Sequence, residues 1–183
     1  MENQENHIIG GITGGIGSLL AKTLLQKGHK VAGYARDADK LDNFRVRNNC
    51  PTLCCEATNS AHVSQTIEAL HQELGSVNTY THAIGSIFLK PIHLTTDADW
   101  LHTIETKLHS AFFALRAVCK IMLKQGYGSC LFFSTAAAQT GIPNHEAIAA
   151  SKGGIQAMVQ SAAATYSSRG VRINALAPSL TDT

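Results

Sequence analysis

The chain has 183 residues, 44% of them hydrophobic and 15% charged, so it is long enough for one compact domain with a real core and too short for two ordinary ones. Its 15 basic and 13 acidic residues give a formal net charge of +2 without a basic cluster, which argues against nucleic acid and anionic membranes as partners. The polar N-terminus MENQENH lacks the layout of a signal peptide and no apolar run is long enough to span a membrane, so we expect a cytoplasmic protein whose partner is a small molecule or another subunit.

Apolar runs that read as strands alternate with helical patterns along the whole chain. The predicted strands are HIIGGI, KVAGYA, PTLCC, NTYTHAI, SCLFF and VRINALA. The clearest helix is SAHVSQTIEALHQELG, residues 60–75, which Asn59 or Ser60 can cap and Gly75 can end. Such alternation predicts right-handed crossovers and a doubly wound α/β fold, in which a parallel sheet of about six strands is covered by helices on both faces. A single Rossmann-like domain would span residues 1–183.

Residues 97–125 form a long stretch with enough apolar positions for a helix with two buried faces, and they include the only tryptophan, Trp100. Such a helix can pack against a second subunit or lie buried within the monomer, and the sequence leaves both alternatives open.

The segment GGITGGIG, residues 10–17, follows the first predicted strand and opens the first helix. Glycine permits a tight turn and lets the backbone approach a pyrophosphate, which then lies on the free N–H groups at the start of that helix. A glycine cluster alone is weak support, because many strand-to-helix turns favour glycine, but its position between strand and helix predicts dinucleotide binding.

The spacing of Gly11, Gly15 and Gly17 resembles the loop of the short-chain dehydrogenase/reductase family, and the resemblance extends along the whole chain. CCEATN at 54–59 resembles the end of the third strand of the family, and HAIG at 82–85 is similar to its N-N-A-G segment, with His82 and Ala83 departing from asparagine. LFFSTAAA resembles the strand that carries the catalytic serine, ASKGG the active-site helix, and VRINALAPS the V-R-V-N-x-x-x-P-G strand, with Ser179 in place of glycine.

The resemblance implies a nicotinamide dinucleotide cofactor, with Glu56 meeting the adenine amine. An NAD enzyme usually has an acid at the end of its second strand, whereas an NADP enzyme offers arginine to the 2′-phosphate. Ala35 stands at the acid position and Arg36 follows it, so NADP(H) is favoured over NAD; alternatively, Arg36 is only a solvated loop residue beside Asp37. The cofactor-binding residues so implied are Gly11, Gly15, Ile16, Gly17, Arg36, Glu56, Ala57, Ala83, Gly85, Lys152 and Pro178.

The catalytic residues of the family are only partly retained. Family members use a tyrosine that exchanges a proton with the substrate, a lysine four residues later, a serine and an asparagine. Here Lys152 keeps the lysine, but Ile148 occupies the tyrosine position and cannot carry a proton. By register, Thr135 occupies the serine position and Lys107 the asparagine position.

The enoyl-reductase branch of the family offers a replacement for the tyrosine, because its own tyrosine stands seven residues before the lysine. That offset falls on His145, and histidine, with an ordinary pKa of about 6.5, is a competent proton donor near neutrality. His145 can equally be an exposed loop residue beside Glu146. His82 is ambiguous in the same way, since it can lie near the cofactor or merely pack at the end of the fourth strand.

Metal and disulfide sites are not expected. HEAIA at 145–149 begins like the H-E-x-x-H zinc motif, but Ala149 stands where the second histidine belongs. The five cysteines, at positions 50, 54, 55, 119 and 130, include no C-x-x-C pair, and we interpret them as reduced core residues.

The function expected from these residues is that of a divergent NADP(H)-dependent oxidoreductase acting on a carbonyl or enoyl-type substrate, with Thr135, His145 and Lys152 as catalytic residues. The alternative is an inert dinucleotide-binding module that acts as a sensor or partner subunit, favoured by Ile148 and by the lack of the lid helix and last strand that usually follow in the family. A homo-oligomer through helices at residues 100–122 and 152–166 is expected in either case.

Overall fold

The computed structural model describes residues 3–179. Its six strands form one parallel sheet in the order β3-β2-β1-β4-β5-β6. Their bounds are β1 Asn6–Gly10, β2 Lys30–Ala35, β3 Thr52–Cys54, β4 Thr79–His82, β5 Gly128–Phe133 and β6 Val171–Leu176. All six predicted strands are therefore confirmed, as is the doubly wound α/β fold with a reversal of strand order between β1 and β4.

Seven α-helices connect the strands in the described part of the chain. Their bounds are α1 Gly15–Gln26, α2 Ala38–Asn48, α3 Ser60–Leu74, α4 Asp97–Ile104, α5 Ser110–Gln125, α6 Ala137–Thr140 and α7 Glu146–Tyr166. Helix α3 confirms its prediction, because the Asn59 side chain accepts a hydrogen bond from the His62 N–H and Gly75 ends the helix with a φ of 80°. The described residues also form short 3₁₀ turns at Ile92–Leu94 and Ser167–Arg169.

The predicted long helix over residues 97–125 is interrupted. A π-helical turn at Glu105–His109 separates α4 from α5. Helix α5 buries more than one face, as expected, but the only buried residue of α4 is Thr103, and Trp100 is exposed. Single π-turns within helices frequently occur at functional sites, and this one carries the buried Lys107.

The two faces of the sheet are covered unequally. Helices α3, α5 and α7 bury the larger apolar cluster against one face, and α1 and α2 bury a smaller cluster against β1, β2 and their neighbours on the other. Along β6, Val171 and Ile173 are buried whereas Arg172, Asn174 and Leu176, which point to the opposite face, are exposed. Within residues 3–179, helices therefore cover both faces of the sheet at β1 and β2 and one face at β6.

All five cysteines are free. Four are buried as expected, but Cys54 is exposed, so the interpretation of every cysteine as a core residue was wrong at this position. The reason is that β3 is a three-residue strand at the edge of the sheet, where Leu53 and Cys54 are both exposed. Within residues 3–179 no group of three or more His, Cys, Asp or Glu side chains could hold a metal ion. No helix in the same part of the chain is long and apolar enough to cross a membrane.

Candidate active site

A cleft of about 530 Å³ lies at the carboxyl ends of β1 to β4. This is where ligands bind in open parallel sheets, at the point where the strand order reverses. The cleft is lined by six of the predicted cofactor-binding residues: Gly11, Arg36, Glu56, Ala57, Ala83 and Gly85. It is also lined by residues that the sequence did not single out, among them Thr13, Lys40, Ser86, His102 and Thr106.

The glycine loop forms one wall of this cleft. Gly11 has a φ of 81°, and a Cβ atom there would lie 2.7 Å from the Ala83 carbonyl oxygen, so the loop packs directly on the end of β4. A Cβ atom at Gly17 would lie 2.2 Å from the Gly11 carbonyl oxygen. Helix α1 begins at Gly15 with no side-chain cap. Its first N–H groups and the positive end of its dipole are therefore available to an anion.

Charged residues at the rim of the cleft follow the end of β2. Ala35 is buried, and Arg36 is exposed and lines the cleft together with Lys40. The Asp37 carboxylate accepts a hydrogen bond from the Lys40 N–H at 3.0 Å, which caps α2 and holds the pKa of Asp37 below its usual value. The Lys40 ammonium lies 3.4 Å from the other carboxylate oxygen. Two cations and one capped acid thus face this end of the cleft.

Glu56 lies at the same end, where one carboxylate oxygen accepts hydrogen bonds from the Thr58 N–H at 3.2 Å and from its hydroxyl at 3.0 Å. This local turn orients the Glu56 side chain beside the buried Ala57. Glu56 is exposed, so its second oxygen can accept a hydrogen bond from a ligand.

Lys152 lies behind the cleft wall, where its Nζ is 3.8 Å from the position that a Cβ atom would take at Gly85. It lies on α7, is 8% exposed, and donates a hydrogen bond from Nζ to the Phe133 carbonyl oxygen at 2.8 Å. The Ser134 hydroxyl donates to the Lys152 carbonyl oxygen at 2.9 Å, which ties α7 to the end of β5. Burial, and after it the charge of Lys107, lower the pKa of Lys152 to about 8.

Lys107 is a second buried amine at this site. The π-turn holds it, its side chain is 1% exposed, and its Nζ donates to the Ser86 hydroxyl at 3.3 Å. Burial lowers the pKa of Lys107 below its ordinary value. The sequence placed Lys107 at the asparagine position of the family but gave no sign that its amine would be buried beside Ser86.

Three further residues occupy positions at which the sequence predicts the catalytic groups or their replacements. Thr135 is half-buried, and its hydroxyl oxygen accepts from the Ala137 N–H at 3.3 Å. Ile148 is buried one helical turn before Lys152. His145 is half-buried at the first boundary of α7, with Nδ1 2.8 Å from the Pro143 carbonyl oxygen. Because Nδ1 is the nitrogen that donates to this carbonyl, Nε2 is the one left for a substrate.

Some of the predicted residues do not line the cleft itself. His145, Thr135 and Lys152 are not among the residues that line it. Ile16 is half-buried in the first turn of α1. Pro178 is also half-buried, and its carbonyl oxygen accepts from the Ala136 N–H at 3.0 Å, which joins the segment after β6 to the segment after β5.

A chain of buried hydroxyl and imidazole groups runs beneath the cleft, and the sequence did not predict it. The Tyr34 and Tyr80 hydroxyls are 2.8 Å apart, the Tyr80 hydroxyl is 2.9 Å from His82 Nδ1, and His82 Nε2 is 3.2 Å from the Ser110 hydroxyl. Ser110 also donates to the Thr106 carbonyl oxygen at 2.8 Å. Burial, and after it the charge of Lys152, lower the pKa of His82 to about 3, so the imidazole is neutral.

Comparison with known proteins agrees with this geometry. A family profile described as enoyl-(acyl carrier protein) reductase matches residues 11–183. The chain is 26% identical over 178 residues to D-threitol dehydrogenase of Mycolicibacterium smegmatis, covering 94% of this chain and 68% of the relative. It is 27% identical over 179 residues to the 3-oxoacyl-[acyl-carrier-protein] reductase FabG of Escherichia coli, covering 96% of this chain and 73% of the relative.

The chain belongs to the short-chain dehydrogenase/reductase family. Solved structures share its fold: NAD+-bound xylitol dehydrogenase superimposes with a TM-score of 0.91 at 23% identity over 97% of this chain and 70% of its own. Levodione reductase gives a TM-score of 0.90 at 24% identity over 96% of this chain and 71% of its own. The family resemblance and the fold predicted from the sequence are therefore confirmed.

Proposed function

We propose that this protein is an NADP(H)-dependent oxidoreductase that transfers hydride to or from a carbonyl or enoyl-type substrate. The observation that carries the proposal is the cleft at the reversal of strand order, because it combines an uncapped helix start with Arg36 and Lys40 at its rim. The named relatives of this family member are dehydrogenases and reductases, which supports hydride transfer as the reaction class.

The residues of the cleft fit such a dinucleotide. The start of α1 would hold the pyrophosphate, and Gly11 and Gly17 allow the close backbone contacts that place this helix start at the cleft. Arg36, with Lys40 beside it, would hold the 2′-phosphate, and Glu56 would accept a hydrogen bond from the adenine amine. When bound, the cofactor supplies or accepts the hydride.

The chain's own groups would orient the substrate and supply the proton. Lys152 would hydrogen-bond the nicotinamide ribose from its position at the end of β5. The Thr135 hydroxyl would donate to the substrate oxygen. Nε2 of His145 would give a proton to that oxygen when the ring is in its imidazolium form, because Ile148 has no titratable group. This assignment needs the loop before α7 to present His145, and the Lys90 N–H supports that loop by donating to the Asn144 carbonyl oxygen at 3.0 Å.

An inert dinucleotide-binding module is the second candidate, favoured by Ile148 at the tyrosine position. The named relatives give this alternative no support. A homo-oligomer would form through the groove between α5 and α7, which Phe112, Leu115, Leu123 and Met158 line with apolar groups. The cytoplasm remains the proposed location.

Deuteride transfer separates the two candidates. We expect the protein to move deuterium from the 4-position of labelled NADPH into a product from a panel of carbonyl compounds and enoyl thioesters. His145→Ala should lower this rate by about a hundred- to ten-thousandfold without weakening NADPH binding, because it removes only a general acid. His93→Ala, which changes an exposed histidine on the 3₁₀ turn, is the matched control.

Two other outcomes would count against this assignment. An active parent that is indifferent to His145→Ala would remove His145 as the donor. A parent that binds NADPH but transfers no deuterium would favour the inert module. In that case Ile148→Tyr should create activity, because Lys152 lies one helical turn away and would lower the pKa of the new phenol.

A further inference from the structure

Lys90 connects the loop before α7 to the start of α4. Its backbone N–H donates to the Asn144 carbonyl oxygen at 3.0 Å, and its side-chain Nζ donates to Asp99 Oδ2 at 2.7 Å. Asp99 lies in the first turn of α4, whereas residues 141–144 form an exposed loop. A single residue therefore ties that loop to a helix end in a different part of the chain.

The ion pair of Lys90 with Asp99 differs from the other ion pairs within residues 3–179. Those pairs join residues two or three positions apart, so each braces only its own turn. Lys90 and Asp99 are nine positions apart and belong to different elements. This pair therefore contributes to the placement of one segment against another.

Asp99 is a fixed anchor for the lysine. The Thr96 hydroxyl accepts a hydrogen bond from the Asp99 N–H at 3.1 Å, and Asp99 Oδ2 accepts one from the Thr96 N–H at 3.2 Å, which is a complete capping box. The hydrogen bond from Lys90, and after it those with Thr96, hold the pKa of the Asp99 carboxyl below its usual value. The carboxylate is therefore ionised and oriented before it meets Lys90.

The loop that Lys90 holds sets the orientation of the His145 ring. His145 Nδ1 lies 2.8 Å from the Pro143 carbonyl oxygen, so the direction of that carbonyl decides which ring nitrogen is left free. Asn144, between these two residues, has a left-handed φ of 64°, and its own carbonyl oxygen accepts from Lys90. Exposed loops move unless they are tied down, and the Lys90 contact restrains this one directly beside His145.

We propose that Lys90 and Asp99 are positioning residues, whose ion pair holds the loop so that His145 keeps Nδ1 on the Pro143 carbonyl and presents Nε2 to the substrate. This role rests on the proposed function, in which His145 gives a proton to the substrate oxygen. A misplaced proton donor slows the reaction, and it leaves the binding of the cofactor unchanged, because Arg36 and the start of α1 lie elsewhere.

Two substitutions remove the ion pair with little change of shape. Lys90→Met keeps an unbranched side chain, and Asp99→Asn keeps an oxygen for the Thr96 N–H. Each should lower the rate of deuteride transfer by about ten- to a hundredfold at saturating NADPH and substrate. The affinity for NADPH and the urea midpoint should change little, because partly exposed ion pairs contribute little to overall stability. Lys90→Arg, which retains the pair, should keep the rate of the parent.

NMR of the His145 ring tests the positioning apart from turnover. Long-range correlations between the carbon-bound ring protons and the ring nitrogens report the tautomer at about pH 8, where an ordinary histidine is neutral. His145→Ala identifies the signals. The parent should carry the proton on Nδ1, and Lys90→Met should shift the ring toward a mixture of both tautomers.

Asp42→Asn is the matched control, because it removes an exposed ion pair with Arg45 at 3.0 Å on α2. It should change neither the rate nor the tautomer. The same tautomer in the parent and in Lys90→Met, or an active parent whose rate is unaffected by Lys90→Met, would overturn the inference. A parent that transfers no deuteride contradicts the proposed function, and the tautomer comparison then decides the inference alone.

Discussion

At the scale of single residues, His82 connects the sheet to the π-turn that carries Lys107. Its ring bridges the Tyr80 hydroxyl and the Ser110 hydroxyl, and Ser110 donates in turn to the Thr106 carbonyl oxygen. Each ring nitrogen has one partner, so the buried imidazole is satisfied while neutral. A protonated ring would place another cation near Lys152 in a fully buried environment, which disfavours the charged form.

This burial predicts an acid-sensitive fold. The pKa of His82 is about 3 in the folded protein, whereas a histidine in the unfolded chain has its ordinary pKa of 6.5. The unfolded chain therefore binds more protons between these values, and stability is lost as pH falls from about 6.5 toward about 3, by up to about 1.4 kcal/mol per pH unit. Urea unfolding at several pH values should show that the free energy of unfolding depends less on pH in His82→Asn than in the parent.

The exposed His93→Asn variant serves as the control for this prediction. Its free energy of unfolding should fall with decreasing pH as steeply as that of the parent. Identical slopes in the parent and in His82→Asn would show that His82 does not stay neutral in the folded state. Because His7 is also buried and its pKa is lowered in the same direction, part of the slope should persist in His82→Asn.

At the scale of elements, the contact between the glycine loop and α1 fixes the anion-binding end of the cleft. The backbone of Gly17 lies against the Gly11 carbonyl, and only glycine fits, because an added Cβ would approach that oxygen to 2.2 Å. Helix α1 therefore starts close to β1, and its first N–H groups reach the cleft.

Gly17→Ala is expected to destabilise the protein by about 1–3 kcal/mol, because the backbone contact must open. NADPH binding should weaken at least tenfold. Gly153→Ala, also within a helix, is the matched control, since its added Cβ would lie 3.6 Å from the Ala138 Cβ in ordinary contact. That control should be neutral or more stable by up to about 1 kcal/mol. Equal urea midpoints for the two variants would contradict the tight loop-to-helix contact.

The elements differ in how far the sequence predicted them. Apolar runs predicted all six strands, and apolar residues at helical spacing predicted the capped helix α3. Both patterns arise because strands and helices of a parallel sheet bury apolar side chains against each other. The π-turn at Glu105–His109 was not predicted, since a shift in hydrogen bonding by one residue leaves no distinct residue pattern. Cys54 was misassigned to the core because an apolar run does not reveal whether a strand lies at the edge.

At the scale of the whole molecule, the cleft combines residues from distant parts of the chain. The glycine loop, Arg36 and Glu56 were predicted because each carries a local motif or follows a strand. Lys40 on α2, His102 on α4 and Thr106 in the π-turn were missed, because only the tertiary packing of these elements brings them to the same cleft. The burial of Lys107 and Lys152 also depends on this packing and has no local signature.

The groove between α5 and α7 predicts self-association. Phe112 is 44% exposed on α5, and the Arg116 guanidinium lies 5.0 Å from the centre of its ring. We expect the parent to sediment as a dimer or larger species and Phe112→Lys to shift it toward the monomer, because a charge would enter an apolar groove. Leu19→Lys, on the exposed side of α1, should leave the sedimentation profile unchanged. A strictly monomeric parent at high concentration would refute the proposed interface.

Cofactor preference tests the proposed oxidoreductase most directly. Titration of the protein with NADPH and NADH should show tighter binding of NADPH. Arg36→Ala should weaken the binding of NADPH by about ten- to a hundredfold and leave the binding of NADH nearly unchanged. The reason is that the variant loses a charge-assisted hydrogen bond to the 2′-phosphate, worth about 1.5–3 kcal/mol. Arg47→Ala, an exposed arginine on α2, is the control that should change neither affinity. Superimposable NADPH and NADH curves for the parent would contradict the assignment of this cleft to NADP(H).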